Sequence, residues 1–281
     1  MELSVNDQYS EKLKKLNDTF VAFLEAMAKN RKDKSTIPHE KQLEKAAINL
    51  FKEQKAELID RLQKLKKHFK EADPEKDFDD IMDWVFLNTG ENFENVSYST
   101  IAAAMASGGN DILAEIGMEI NFNIKNQAAE QYLISVSADL ITNINETTRS
   151  KAKDIVVKGF EEGKSYDNIA DELIDMYDGF GIKKPQKHIK TRAHLIAVTE
   201  VGEAYEHGGF ITAKDIEEYG VKMEKFWANS GDDRVSDGCK ANTADGWIPI
   251  DQPHTSGHQK PLRFPGCRCY EKYRRAKKLN I

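Results

Sequence analysis

The stretch "TRAHLIAVTEVGEAYEHGGFITAKDIEEYG", residues 191–220, divides the chain. It reads as one long helix that Gly220 closes. Beyond it, "VKMEKFWANS" (221–230) alternates well enough for a strand, and then come short loops carrying Gly, Pro and Asp. All three cysteines, Cys239, Cys267 and Cys269, lie in this last part. Residues 221–281 are therefore expected to form a small, loop-rich α+β end to a helical protein.

Working back towards the N-terminus, helical signals dominate. "NINETTRSKAKDIVVKGFEEGKS" predicts a helix stopping at Gly163, and Ser165 caps a second with Ile169, Leu173 and Tyr177 on one face. Residues 99–106 and 111–140 are helix-compatible, separated and preceded by the loop signals "ASGGND" (106–111) and "NTGENFENVSYS" (88–99). Pro74 and the acids after it open another helix. The first seventy residues predict two amphipathic helices, with stripes Leu13, Leu16, Phe20, Leu24, Met27 and Leu58, Leu62, Leu65, Phe69. The polar, Pro38-containing "RKDKSTIPHE" (31–40) reads as the break of a helical hairpin. The expected fold is thus mainly α, with a helical hairpin N-terminal region and a short strand-and-loop segment at the end.

Composition narrows the function classes. Of 281 residues, 31% are charged and 40% hydrophobic, with a formal net charge of -6. Mean hydropathy is -0.63. The whole molecule has no attraction for a polyanion. Residues 260–281, however, carry eight Lys or Arg against one acid, Glu271, so this tail can touch phosphate locally. Arg263, Lys272, Arg274, Arg275, Lys277 and Lys278 are its candidate DNA contacts. An odd cysteine count in a chain of this length argues against a disulfide scaffold and for a reducing compartment. The N-terminus lacks a signal-peptide layout, and the longest apolar run, "IAAAMA" (101–106), is far short of a membrane span.

Three constellations could carry chemistry. Cys239, Cys267 and Cys269, with His254 or His258 between them, would suit tetrahedral Zn²⁺, although C-x-C is less usual in structural zinc sites than C-x₂-C. Zinc is the one candidate cofactor, with Cys239, His258, Cys267 and Cys269 its candidate ligands. Asp232, Asp233, Asp237, Asp245, His254 and His258 offer the donors of a metal-dependent nuclease, without an H-N-H or H-E-x-x-H spacing. The third is a helix-turn-helix, with Lys187, Lys190 and Arg192 on its second helix; its joining segment is longer than that motif needs. No Gly-rich phosphate loop and no G-x-S-x-G occurs. No catalytic residue is assigned.

Four blocks, in order from about residue 143, resemble the phage head morphogenesis or minor head protein family, typified by the Mu protein F and the SPP1 minor capsid protein. "ITNINETTRSKAKDIVVKGFEEGKSYDNIADEL" resembles the family's entry helices. "TRAHLIAVTE" is similar to its R-A-x-x-I-A-x-T-E helix through Arg192, Ala193, Ile196, Ala197, Thr199 and Glu200. "KFWANSGDDRVSDGC" resembles its strand and turn through Trp227, Asp232, Arg234, Val235 and Cys239. Asp245-Gly246 and then "FPGCRC", with Arg268, stand where the family has H-P-N-C-R-C. Phe264 replaces a histidine there, and Ser236 takes the place of a cysteine found in some members.

The resemblance implies a non-enzymatic, DNA-associated virion protein. It would bind the portal or the procapsid interior, alongside capsid and scaffold proteins. It would assemble in the host cytoplasm and, in some relatives, leave with the packaged DNA, which it touches without sequence preference; no membrane is involved. Residues 141–281 would be the family domain and 1–140 a helical, partner-facing region. Arg192 and Glu200, two turns apart on one helix face, would pair with residues such as Asp232 and Arg234, and Trp227 and Trp247 would be buried. The alternatives are the nuclease or toxin-like enzyme and a DNA-binding protein.

Overall fold

A computed structural model describes residues 5–65, 74–122, 127–182, 189, 191–231 and 235–276, and in the first helix the side chains from Lys32 onward. Asp232, Asp233, Arg234, Lys187, Lys190, Lys277, Lys278 and Phe69 lie outside it, as do the side chains of the Leu13–Met27 stripe and of Leu62 and Leu65. Among the described residues, seven helices precede or interrupt a small sheet: α1 (Val5–Leu65), α2 (Pro74–Leu87), α3 (Glu91–Glu115), α4 (Gln127–Glu161), α5 (Tyr166–Ile182), α6 (Arg192–Glu218) and α7 (Asp237–Ala244). The strands are β1 (Met223–Ala228), β2 (Ile248–Pro249) and β3 (Tyr270–Arg275), antiparallel in the order β2-β1-β3. Trp227 faces Glu271 across β1 and β3. The mainly helical reading with a small α+β end is what the chain forms.

The long helix is α6. Thr191 caps it, its hydroxyl accepting the His194 N–H at 3.0 Å, and it ends just before Gly220, whose φ of 88° only glycine adopts readily. Ile169, Leu173 and Tyr177 of α5 are buried on one face, as their spacing predicts.

The N-terminal hairpin does not form. Helix α1 runs for 61 residues straight through Pro38. Proline forfeits one backbone hydrogen bond and costs a helix interior about 3 kcal/mol, so tertiary contacts must hold the turn. They do: Lys32, Thr36, Glu40, Leu43, Ala47, Leu50, Gln54 and Leu58 are all buried, at steps of three and four along one continuous face. The upper part of that face is polar, and its two charged side chains, Lys32 and Glu40, meet partners elsewhere in the fold.

"ASGGND" is likewise helix, inside α3, and not a loop. Gly108 and Gly109 of α3 meet Gly208 and Gly209 of α6 where the two helices cross. A Cβ on Gly108 would sit 1.9 Å from the Tyr205 carbonyl oxygen, and one on Gly208 2.0 Å from that of Met105. The glycines permit backbone-to-backbone contact, outweighing their poor helix propensity. The expected 111–140 helix is in turn interrupted: α3 stops at Glu115 and α4 starts at Gln127.

The largest core cluster runs from Leu43 of α1 to Ile211 of α6, joining residues on both sides of position 140. A second lies between α3, α6 and the sheet, and a third gathers Trp227, Val235, Cys239, Leu262, Cys267 and Cys269. No described helix is long and apolar enough to cross a membrane.

Candidate functional site

The C-terminal unit docks on two helices, and its closing "CRC" makes the joint. Arg268 grips Glu40 of α1 with both guanidinium nitrogens, at 2.7 and 3.2 Å. Lys32, about two turns earlier on the same face of that helix, donates to the Cys269 carbonyl at 2.8 Å and to Glu206 of α6 at 2.6 Å. The other Glu206 oxygen accepts the Glu271 backbone N–H at 2.9 Å. The polar strip that looked like a linker is thus the surface on which the last motif seats.

Helix α6 contributes a row of acceptors. Thr199 takes the Gly266 N–H at 3.0 Å, and Glu203 takes the Leu262 N–H at 3.2 Å and the Lys260 ammonium at 2.7 Å. About two turns of one helix therefore hold the loop before β3, which has no regular structure of its own between Pro249 and Tyr270. Glu200 lies on the same helix, where burial and then the neighbouring Glu203 charge push its carboxyl up to about 7. Arg192 turns elsewhere than expected: it bonds Thr148 and the Ile144 carbonyl of α4 and stacks on Phe51 and Phe180. Asp232 and Arg234, the partners expected for Arg192 and Glu200, are among the residues outside the description.

Behind the joint lies a buried polar chain. His254 has one ring nitrogen 3.0 Å from Glu271 and the other 3.2 Å from Asp245. Asp245 also accepts the Thr255 N–H, and Gly246 turns the chain into β2. A neutral imidazole has only one N–H, so two facing carboxylates require an additional proton in the group. Burial pushes Glu271 up to about 7 while His254 pulls the other way, which makes Glu271 a suitable holder of that proton. Trp227, fully buried, stands edge-on to the His254 ring at 5.2 Å. Trp247 is half-buried instead, with Arg274 over its ring at 4.1 Å.

The three thiols converge. The Sγ atoms of Cys239, Cys267 and Cys269, all buried and unbridged, lie within 4.8 Å of one another. Hydrogen bonds from Cys267 and Cys269 hold the Cys239 thiol well below its usual range, with Ser236 and Arg263 adding to the effect. His258 is not in this group; its ring contacts Ser256 at 3.0 Å. Among the described residues no other three His, Cys, Asp or Glu donors come so close. Of the nuclease donors, Asp232 and Asp233 lie outside the described residues; among the others His254 meets Asp245 but is sealed from solvent, and Asp237 is fully exposed beside Lys240.

The basic tail divides. Arg263 faces inward, donating to Ser236 at 2.9 Å and to Cys239 Sγ at 4.0 Å. Arg274 pairs with Glu224 at 2.7 Å. Lys272 approaches the Tyr270 ring at 5.8 Å, and Arg275 is exposed. The sequence missed Glu271, which counted there only as the acid of a basic tail, and Glu206, Lys32 and Glu40. The even spacing of Lys32, Thr36 and Glu40 with Leu43 was the available signal.

Residues 150–271 match the family model described as Phage Mu protein F like protein. No curated protein and no solved structure matches the chain significantly. The matched span includes the end of α4, all of α5, α6, β1, α7 and β2, the three thiols and the His254 chain, while Lys32 and Glu40 precede it. From Ser150 to Glu271, somewhat under half of its length, the chain is similar to the Phage Mu protein F like family.

Proposed function

We propose that this protein is a minor head component of a phage, acting structurally in head morphogenesis. The observation that carries this reading is the family match over residues 150–271. In this role it binds the portal or the procapsid interior, resides in the phage head, and passes through the host cytoplasm during assembly. The packed joint between α1, α6 and the C-terminal unit supports a building block whose motif residues serve architecture. Arg192, Thr199, Glu203, Glu206 and Arg268 all make intramolecular bonds. Contact with packaged DNA falls to the outer part of the tail, Lys272, Arg275 and the residues after it.

Co-expression with the portal, major capsid and scaffold proteins of the same phage tests this. The expected result is co-purification with portal rings or procapsids at a few copies each. Procapsids assembling normally without the chain, and free of it when it is present, would refute the role.

A further inference from the structure

We propose that Cys239, Cys267 and Cys269 form a zinc site of three thiolates, whose charge Arg263 balances. Three ligand atoms within 4.8 Å of one another match a tetrahedral centre, in which Zn–S bonds of about 2.3 Å place sulfurs about 3.8 Å apart. The ligands come from two places that the sequence keeps apart: Cys239 from the first turn of α7, Cys267 and Cys269 from the run into β3. Ser236 caps α7 by accepting the Cys239 N–H, which fixes the direction of that thiol.

The second, independent observation is the arginine. Zn²⁺ with three thiolates carries a net charge of about -1, and a buried charge needs a partner. Arg263 supplies it: its Nη1 donates to Cys239 Sγ at 4.0 Å and to Ser236 Oγ at 2.9 Å. Gly238 makes room for this guanidinium, since a Cβ there would come within 2.4 Å of Arg263 Cζ. The cation is thus built into the site, against the sulfur that the other two thiols also face. The stretch from Asp251 to Cys269 contains no helix or strand, so a metal tying α7 to the start of β3 stabilises a unit with little core of its own. The histidines that sequence spacing offered take no part. His254 is committed to Asp245 and Glu271, and His258 to Ser256.

The test uses the full chain purified without chelator or added zinc, under argon. Elemental analysis should find about one zinc per chain, released stoichiometrically when a mercurial titrates the thiols. Replacement by Co²⁺ should give a sulfur-to-cobalt charge-transfer band with the strong visible bands of tetrahedral cobalt. Cys267→Ser should weaken that band, and circular dichroism reports whether the variant still folds. Because this variant can unfold, Arg263→Met is the second arm: it keeps every ligand and should lower zinc affinity by about 10–100-fold, with Arg263→Lys restoring part of it. A folded protein with three freely titrating thiols, no zinc and no charge-transfer band on adding Co²⁺ would overturn the site. So would a disulfide between any two of these cysteines in freshly isolated protein. Unchanged affinity in Arg263→Met would overturn the charge-balancing role of Arg263.

Discussion

Gly108→Ala probes the α3–α6 crossing, on which the main core depends. The new methyl would lie 1.9 Å from the Tyr205 carbonyl oxygen, a backbone atom that cannot rotate away. A carbon–oxygen contact needs about 3.3 Å, so the helices must part by about 1.4 Å at this point. Gaps of 0.5–1 Å already forfeit about a quarter to a half of a dispersion contact, and overpacked cores typically lose about 1–3 kcal/mol, occasionally more. Alanine returns about 1 kcal/mol through helix propensity. Because the clash is with backbone, the loss belongs at the top of that range, about 3 kcal/mol, and the expected net loss is about 2 kcal/mol, or roughly 4–8 °C in Tm for a protein of this size. Gly179→Ala supplies the matched control. Gly179 is also inside a helix, but nothing lies within 4 Å of its missing Cβ, so the change should stabilise by about 0.5–1 kcal/mol. Urea denaturation followed by circular dichroism measures both. If Gly108→Ala were as stable as Gly179→Ala, the close crossing would be wrong.

Lys32→Met should cost about 3–5 kcal/mol, because it leaves Glu206 buried without its cation. Lys32→Met with Glu206→Gln should recover part of that loss in the same denaturation assay, and additive losses would rule out the pair. The Glu200 carboxyl, raised to about 7 from an ordinary 4.5, makes stability depend on pH. Its folded form holds the proton more tightly, so its contribution is complete below about pH 4.5 and is lost as pH rises through about 7. Between pH 5 and 8 Glu200→Gln should remove about 1–3 kcal/mol of the wild-type decline, and parallel curves for the two proteins would contradict this. Arg268→Ala should loosen the C-terminal unit, seen as faster amide exchange in 262–275 with α4 and α5 unaffected; uniform protection across the chain would count against the Glu40 joint.

Much of this was legible. The end of α6 at Gly220, the α5 face and strand β1 follow from caps and periodicity, which are local signals. The motif blocks led to the family before any contact was known. What stayed hidden depended on partners distant in sequence. Lys32, Thr36 and Glu40 continue the buried stripe of α1, but a stripe is recognised by apolar residues, and the two charged ones are buried only because Glu206, the Cys269 carbonyl and Arg268 await them. Two glycines in "ASGGND" looked like a loop because their use is a helix crossing, and the matching pair at 208–209 makes sense only once the helices meet. The three thiols were grouped correctly from composition, while the neighbouring histidines were drawn into the His254 chain and the Ser256 contact.

The bond from Lys32 to the Cys269 carbonyl spans 237 residues, so the order of synthesis matters. Lys32 and Glu40 leave the ribosome more than two hundred residues before their partners Cys269 and Arg268. Until then the middle of α1 presents charges with no matching groups, and contacts of such sequence separation form late. A chain broken off before Arg268 would keep most of its helices yet leave Glu40 without its arginine and Glu206 without the Glu271 N–H. The joint therefore acts as a check that synthesis has passed Glu271, letting only chains that carry residues 268–271 reach the closed state.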